Sequence, residues 1–272
     1  MKKKVLPAIF AFILALSFTS CDSFFSSGWG NPRDYQAENI NLTVHNLNNW
    51  FERAVGNPPL AKAVSDAVRI KLDSLPADHP DRAIFQRFGV RMAVSSSNMG
   101  VIILTNALDV LANLADFDDM STEDMEDLLK EILGKIQDDF RNAGGLTAAN
   151  NVTEIALEDL DLSGPIPSFP PDSFVHDATP SEIAQTILVL TLAIVEESNI
   201  EDITEWEGFD LHELGMGISL NEDGEVEVGP DAPPKALVLA AYLNLILEDE
   251  TNRFEDNFLT GALRDAFASR DR

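Results

Sequence analysis

The sequence predicts an all-α protein, a helical bundle or an array of helix pairs, with at most one small β-hairpin near residues 216–228. Three observations lead there. Apolar residues recur at spacings of three and four through most of the chain, the period of one helix face. Prolines stand where helices begin, at first-turn positions whose N–H has no intrahelical partner. Strict alternation of apolar and polar residues occurs in one short stretch.

In chain order, Ile40, Val44, Leu47, Phe51 and Val55 make one stripe over residues 37–55. A second helix opens at Pro58-Pro59 and carries Leu60, Val64, Ala67, Val68 and Leu72. A third opens at Pro80-Asp81 and carries Ile84, Phe85, Phe88 and Met92. Residues 99–115 are nearly all apolar, as in a helix buried on most sides. Ser121 with Asp124, loosely a capping box, opens an amphipathic helix through about Arg141 that Gly144-Gly145 ends, and another helix covers 147–160. Four prolines in residues 163–178 exclude regular structure there and mark a possible division of the domain. Thr179-Pro180 then caps a very apolar helix, Ile183 to Val195. Ile218, Leu220, Val226 and Val228 alternate around Asn221-Glu222-Asp223-Gly224, predicting the hairpin. Pro233-Pro234 starts a helix from Ala236 to Leu247, and Phe254, Phe258, Leu259, Leu263 and Phe267 give a last one. The apolar helices at 183–195 and 236–247 are shorter than the roughly 20 residues a bilayer crossing requires, so they belong at the centre of a bundle.

The front of the chain has a different character. Lys2, Lys3 and Lys4 precede an apolar run from Val5 to Phe18, and Phe18-Thr19-Ser20-Cys21 closes it. A positive start, a short apolar middle and small polar residues at a break describe a secretory signal peptide over residues 1–20. The break resembles the lipobox of bacterial lipoproteins, whose Cys thiol is acylated and becomes the new N-terminus. That family usually has Leu three residues before the Cys. Phe18 stands there in this chain, as in the looser lipoboxes of spirochaetes and some other bacteria. The same residues fit a plain cleaved leader or an uncleaved anchor. Cys21 favours the lipoprotein: it is the only cysteine in the sequence, and a lone thiol in an oxidising compartment has no internal disulfide partner. The resemblance implies lipidation of Cys21, attachment to the membrane through that lipid, and a place in the cell envelope facing the periplasm or the cell surface. Residues 21–36, rich in Ser and Gly, read as a flexible tether, and residues 37–272 as the helical domain.

Without residues 1–20 the chain has 16 Lys and Arg against 46 Asp and Glu. Phosphate backbones are bound by Lys and Arg, so this balance excludes nucleic acid as a partner. It suits a solvated acidic face, or a protein that meets cationic partners or divalent ions.

Chemistry is sparse in the sequence. His45, His79, His176 and His212 are scattered, and His212-Glu213 lacks a second His four residues on. No Gly-x-Ser-x-Gly elbow or Ser-x-x-Lys occurs. Gly215-Met216-Gly217 is followed by Leu220 where a dinucleotide fingerprint has its third glycine. Asp116, Asp118, Asp119, Glu123 and Asp124 crowd one loop, and Asp223 sits in a phrase faintly like a calcium loop. Acidic helix starts and an ordinary hairpin turn explain both groups more simply. No cofactor is implied. The expected function is binding or interaction in the envelope, with a protein partner or an apolar small molecule held between helices. A helical-repeat scaffold or transporter accessory, and a carboxylate- or metal-dependent envelope hydrolase, are the alternatives.

Overall fold

The computed structural model describes residues 35–102, 105–106, 134–158, 179–197, 218–220, 226–229 and 232–247. Its helices are α1 (Leu47–Ala54), α2 (Pro58–Ser74), α3 (Arg82–Ser96), α4 (Gly145–Leu157), α5 (Pro180–Glu197) and α6 (Pro234–Leu247). Strands β1 (Ile218–Leu220) and β2 (Val226–Val228) pair antiparallel with Leu220 opposite Val226. Residues 99–102, 105–106 and 134–142 are also helical. The fold is mainly helical with one small hairpin, as the sequence predicts. The Pro-rich segment 163–178 and the last expected helix lie outside the described residues, as does most of the two expected helices over 99–141.

α4 is the hub: it packs against α2, α3, α5 and α6. Val152 and Ile155 of α4 are fully buried, with Val64 and Val68 of α2, Val189 and Leu190 of α5, and Val238 of α6. One helix touching four others describes a bundle, whereas a stacked array joins each repeat mainly to its neighbours. Gly89 of α3 makes the closest approach possible. A Cβ built there would lie 2.7 Å from Val68 Cγ1 and 3.0 Å from Ile155 Cδ1, so a hydrogen is what fits.

The ends of α2 follow from its sequence and from one distant arginine. Asn57 Oδ1 accepts from Leu60 N–H at 3.3 Å, and Pro58 opens the helix. At the far end the Arg82 guanidinium donates to the carbonyls of Leu72 at 2.7 Å and Leu75 at 3.0 Å. It thereby gives a donor to the Leu75 carbonyl, past the end of the helix, and a second one to the Leu72 carbonyl, which also accepts from Leu75 N–H at 3.0 Å. Its other amine donates to Glu158 Oε1 at 2.6 Å. One side chain thus ties the end of α2 to the start of α3 and the end of α4.

One expectation needs correction. Residues 37–55 are not a single helix: 3-10 turns at Ala37–Asn39 and Val44–Asn46 precede α1. Polar side chains take the backbone away from a continuous helix. Asn46 Oδ1 accepts from Thr43 N–H at 2.9 Å, and Asn46 Nδ2 donates to the Asn41 carbonyl at 2.9 Å. Trp50 Nε1 donates to the same carbonyl at 3.3 Å. Further on, α4 begins at Gly145 rather than 147, directly after Gly144, whose φ of 79° ends the preceding helix.

The hairpin rests on α6, where Asn244 Oδ1 accepts from Val226 N–H at 3.2 Å. Among the described residues, no helix is long and apolar enough to cross a membrane.

Candidate functional site

Cys21, Asp116, Asp118, Asp119, Glu123 and Asp223 all lie outside the described residues, as do His176 and His212. His79 has a local task at the start of α3, where its Nδ1 accepts from Asp81 N–H at 3.2 Å. His45 lies in the turn Val44–Asn46. No group of three or more His, Cys, Asp or Glu suited to a metal ion occurs among the described residues.

One polar seam joins α3, α5 and α6, and it starts from a local signature. Thr179 and Glu182 stand three apart at the head of α5, the spacing of a capping box. Glu182 Oε2 accepts from Thr179 N–H at 2.8 Å and from Thr179 Oγ1 at 3.0 Å, and Thr179 Oγ1 accepts from Glu182 N–H at 3.3 Å. That leaves Glu182 Oε1 facing α3, where it meets Arg91 Nε at 2.5 Å. The Arg91 guanidinium also lies 3.4 Å from the centre of the Phe51 ring of α1. Burial lowers the proton affinity of Arg91, Glu182 opposes that, and neighbouring Arg87 adds to it. A guanidinium stays charged regardless.

One turn along α5, Thr186 Oγ1 donates to the Glu182 carbonyl at 2.7 Å. Thr186 also shares a hydrogen bond with Tyr242 of α6, whose side chain is among the largest fully buried ones. Burial drives the Tyr242 phenol well above the ordinary tyrosine range, Thr186 partly offsets this, and the Glu182 charge adds to the rise. The phenol is therefore a neutral hydrogen-bonding group at any physiological pH, unsuited to act as a base. The seam holds a charge pair against an aromatic face and joins four helices.

A second network binds α2 to α4. Asn151, nearly buried, donates to Asp66 Oδ1 at 3.2 Å and accepts from Arg69 Nη1 at 3.4 Å, while Arg69 also pairs with Glu154. A third joins the helical stretch 134–142 to α5. Arg141 donates to both oxygens of Glu196 at 2.7 Å, and this pairing holds the Glu196 carboxyl below the usual range.

Sequence reasoning found the Thr179 cap but not Arg91, Arg82 or Tyr242. The Thr-x-x-Glu spacing is visible in one dimension, whereas the partners of Glu182 come from helices far away in sequence. Comparison with protein-family models, curated proteins and solved structures finds no match for this chain.

Proposed function

We propose that this chain is the precursor of a bacterial lipoprotein, cleaved before Cys21 and acylated on it, whose helical body has a binding role in the cell envelope. The observation that carries this reading is the single cysteine of the sequence, placed directly after a three-lysine start and an apolar run. The partner is met on the surface. Supporting this, the hub of the bundle is tightly filled at Gly89, where α3 lies against side chains of α2 and α4. The excess of Asp and Glu favours a protein partner with a cationic face.

Metabolic labelling with a fatty-acid analogue, followed by detergent phase separation, tests the anchor. The parent chain takes up label and enters the detergent phase, and Cys21→Ser stays unlabelled. Label retained by Cys21→Ser contradicts the proposal. For the partner, complexes recovered by crosslinking in intact envelopes should weaken as salt rises, because charge attraction between exposed surfaces is screened. A salt-insensitive complex contradicts a cationic partner.

A further inference from the structure

Residues 35–46 lie against the helical body as a strap. Their regular structure is two 3-10 turns of three residues each, Ala37–Asn39 and Val44–Asn46. The N–H groups of Asn39, Ile40 and Asn46 donate within the strap, to the carbonyls of Gln36, Ala37 and Thr43. The side chains of Asn39 and Asn46 also bond within it, to Gln36 Oε1, Thr43 N–H and the Asn41 carbonyl, all in exposed positions. Among the described residues, two side-chain hydrogen bonds cross from body to strap. Trp50 Nε1 donates to the Asn41 carbonyl at 3.3 Å, and Asn57 Nδ2 donates to the Tyr35 hydroxyl at 3.4 Å. Both are longer than the usual N–H···O distance of about 2.9–3.0 Å.

One side chain dominates the docking. Leu42 is the single buried residue of the strap, Tyr35, Ala37, Ile40 and Val44 pack half-buried against the core, and six of the twelve residues are exposed. The body closes on itself beneath: α2 packs against α1, α3 and α4, and α3 packs against α4 and α5. A segment with few buried apolar contacts and exposed hydrogen bonds opens locally at a lower free energy than the core beside it.

The strap also lies between the proposed anchor and the body. Tyr35 is 14 positions after Cys21, so with the strap docked the connection spans at most about 50 Å. Leu47, where α1 begins, is 26 positions after Cys21, and the limit with the strap released is about 90 Å. We propose that residues 35–46 are a releasable strap, which undocks as one unit while α1 to α6 stay folded and lets the anchored body reach farther from the membrane towards its partner. The undocking stands by itself, and the gain in reach rests on attachment at Cys21.

The undocking is tested on the mature chain, residues 21–272, in solution, so its failure is separate from a failure of acylation. Amide hydrogen exchange is followed in urea below the unfolding transition. The amides of Asn39, Ile40 and Asn46 should share one weak urea dependence and, corrected for intrinsic rates, exchange roughly a hundredfold faster than those of Val64 and Val68 in α2. Leu42→Asp places a charge at the docking point. It should abolish protection at the three strap amides while the helical circular dichroism and a single cooperative urea transition remain. Strap amides that follow the urea dependence of Val64 and Val68, or loss of the helices in Leu42→Asp, overturns the undocking. For the reach, parent and Leu42→Asp are coupled through the Cys21 thiol to a maleimide-headgroup lipid in a supported bilayer. Neutron reflectometry should find the Leu42→Asp body farther from the lipid, and equal separations overturn the gain in reach.

Discussion

Glu182 uses its two carboxylate oxygens for different tasks: one closes the first turn of its own helix at Thr179, and the other meets Arg91 Nε of α3 at 2.5 Å. Local capping and tertiary docking therefore share one side chain. Glu182→Ala loses both and should cost about 1–2 kcal/mol, the sum of a lost cap and a partly exposed pair. Glu182→Gln keeps a residue type that completes the box and loses the charge, so it should cost less than about 1 kcal/mol. The side chains of Arg91 and Glu182 are 39% and 26% exposed, which keeps the pair's share small. Urea denaturation midpoints of the two variants check the ordering, and equal costs would refute the division of labour.

Tyr242 ties alkaline stability to its burial. Its phenol binds a proton more tightly folded than unfolded, because burial raises its pKa from the ordinary value of 10.0. The resulting stabilisation is complete below pH 10 and is lost as pH rises further, since the unfolded chain then releases a proton that the folded chain keeps. Tyr242→Phe should flatten this alkaline decline while costing about 1 kcal/mol at neutral pH for the lost hydrogen bond. Denaturant midpoints across alkaline pH check it; parallel declines in parent and variant would refute it.

Gly89→Ala forces a methyl group into Val68 and Ile155. Overpacking of this kind costs about 1–3 kcal/mol. Better helix propensity returns up to about 1 kcal/mol. The net effect is a lower melting temperature, measured by calorimetry. A rise would show that α2 and α4 relax without cost.

Arg82 is 9% exposed at its side chain and serves three acceptors at once. Arg82→Met keeps much of the apolar stem but removes the donor to the Leu75 carbonyl and the ion pair with Glu158, while the Leu72 carbonyl keeps its bond from Leu75 N–H. The expected loss is about 3 kcal/mol. Glu158→Gln, which still accepts from Arg82, should cost about 1 kcal/mol. Equal losses in the two variants would place the importance of Arg82 in its charge pair rather than in closing α2.

The helical class was legible because periodicity and proline placement are local signals. Pro58, Pro180 and Pro234 all stand at the first residue of helices that form. The hairpin was legible for the same reason, from alternation around Asn221-Glu222-Asp223-Gly224. The merged helix over 37–55 was misread because its apolar spacing is helical, while the competing side-chain bonds of Thr43 and Asn46 leave no mark in hydrophobic pattern. Arg82, Arg91 and Tyr242 were invisible because their roles exist between helices, where contact depends on how α2 to α6 pack and not on spacing within any one of them. The candidate residues the sequence itself offered, Cys21 and the acidic loops, rest on local motifs and on none of these contacts.

The central claim concerns Cys21, and mass spectrometry of the protein isolated from bacterial membranes tests it most directly. The account predicts an N-terminal peptide that begins at Cys21 and carries a diacylglyceryl group on its sulfur. A peptide that begins elsewhere, or one that begins at Cys21 with a free thiol, would contradict it.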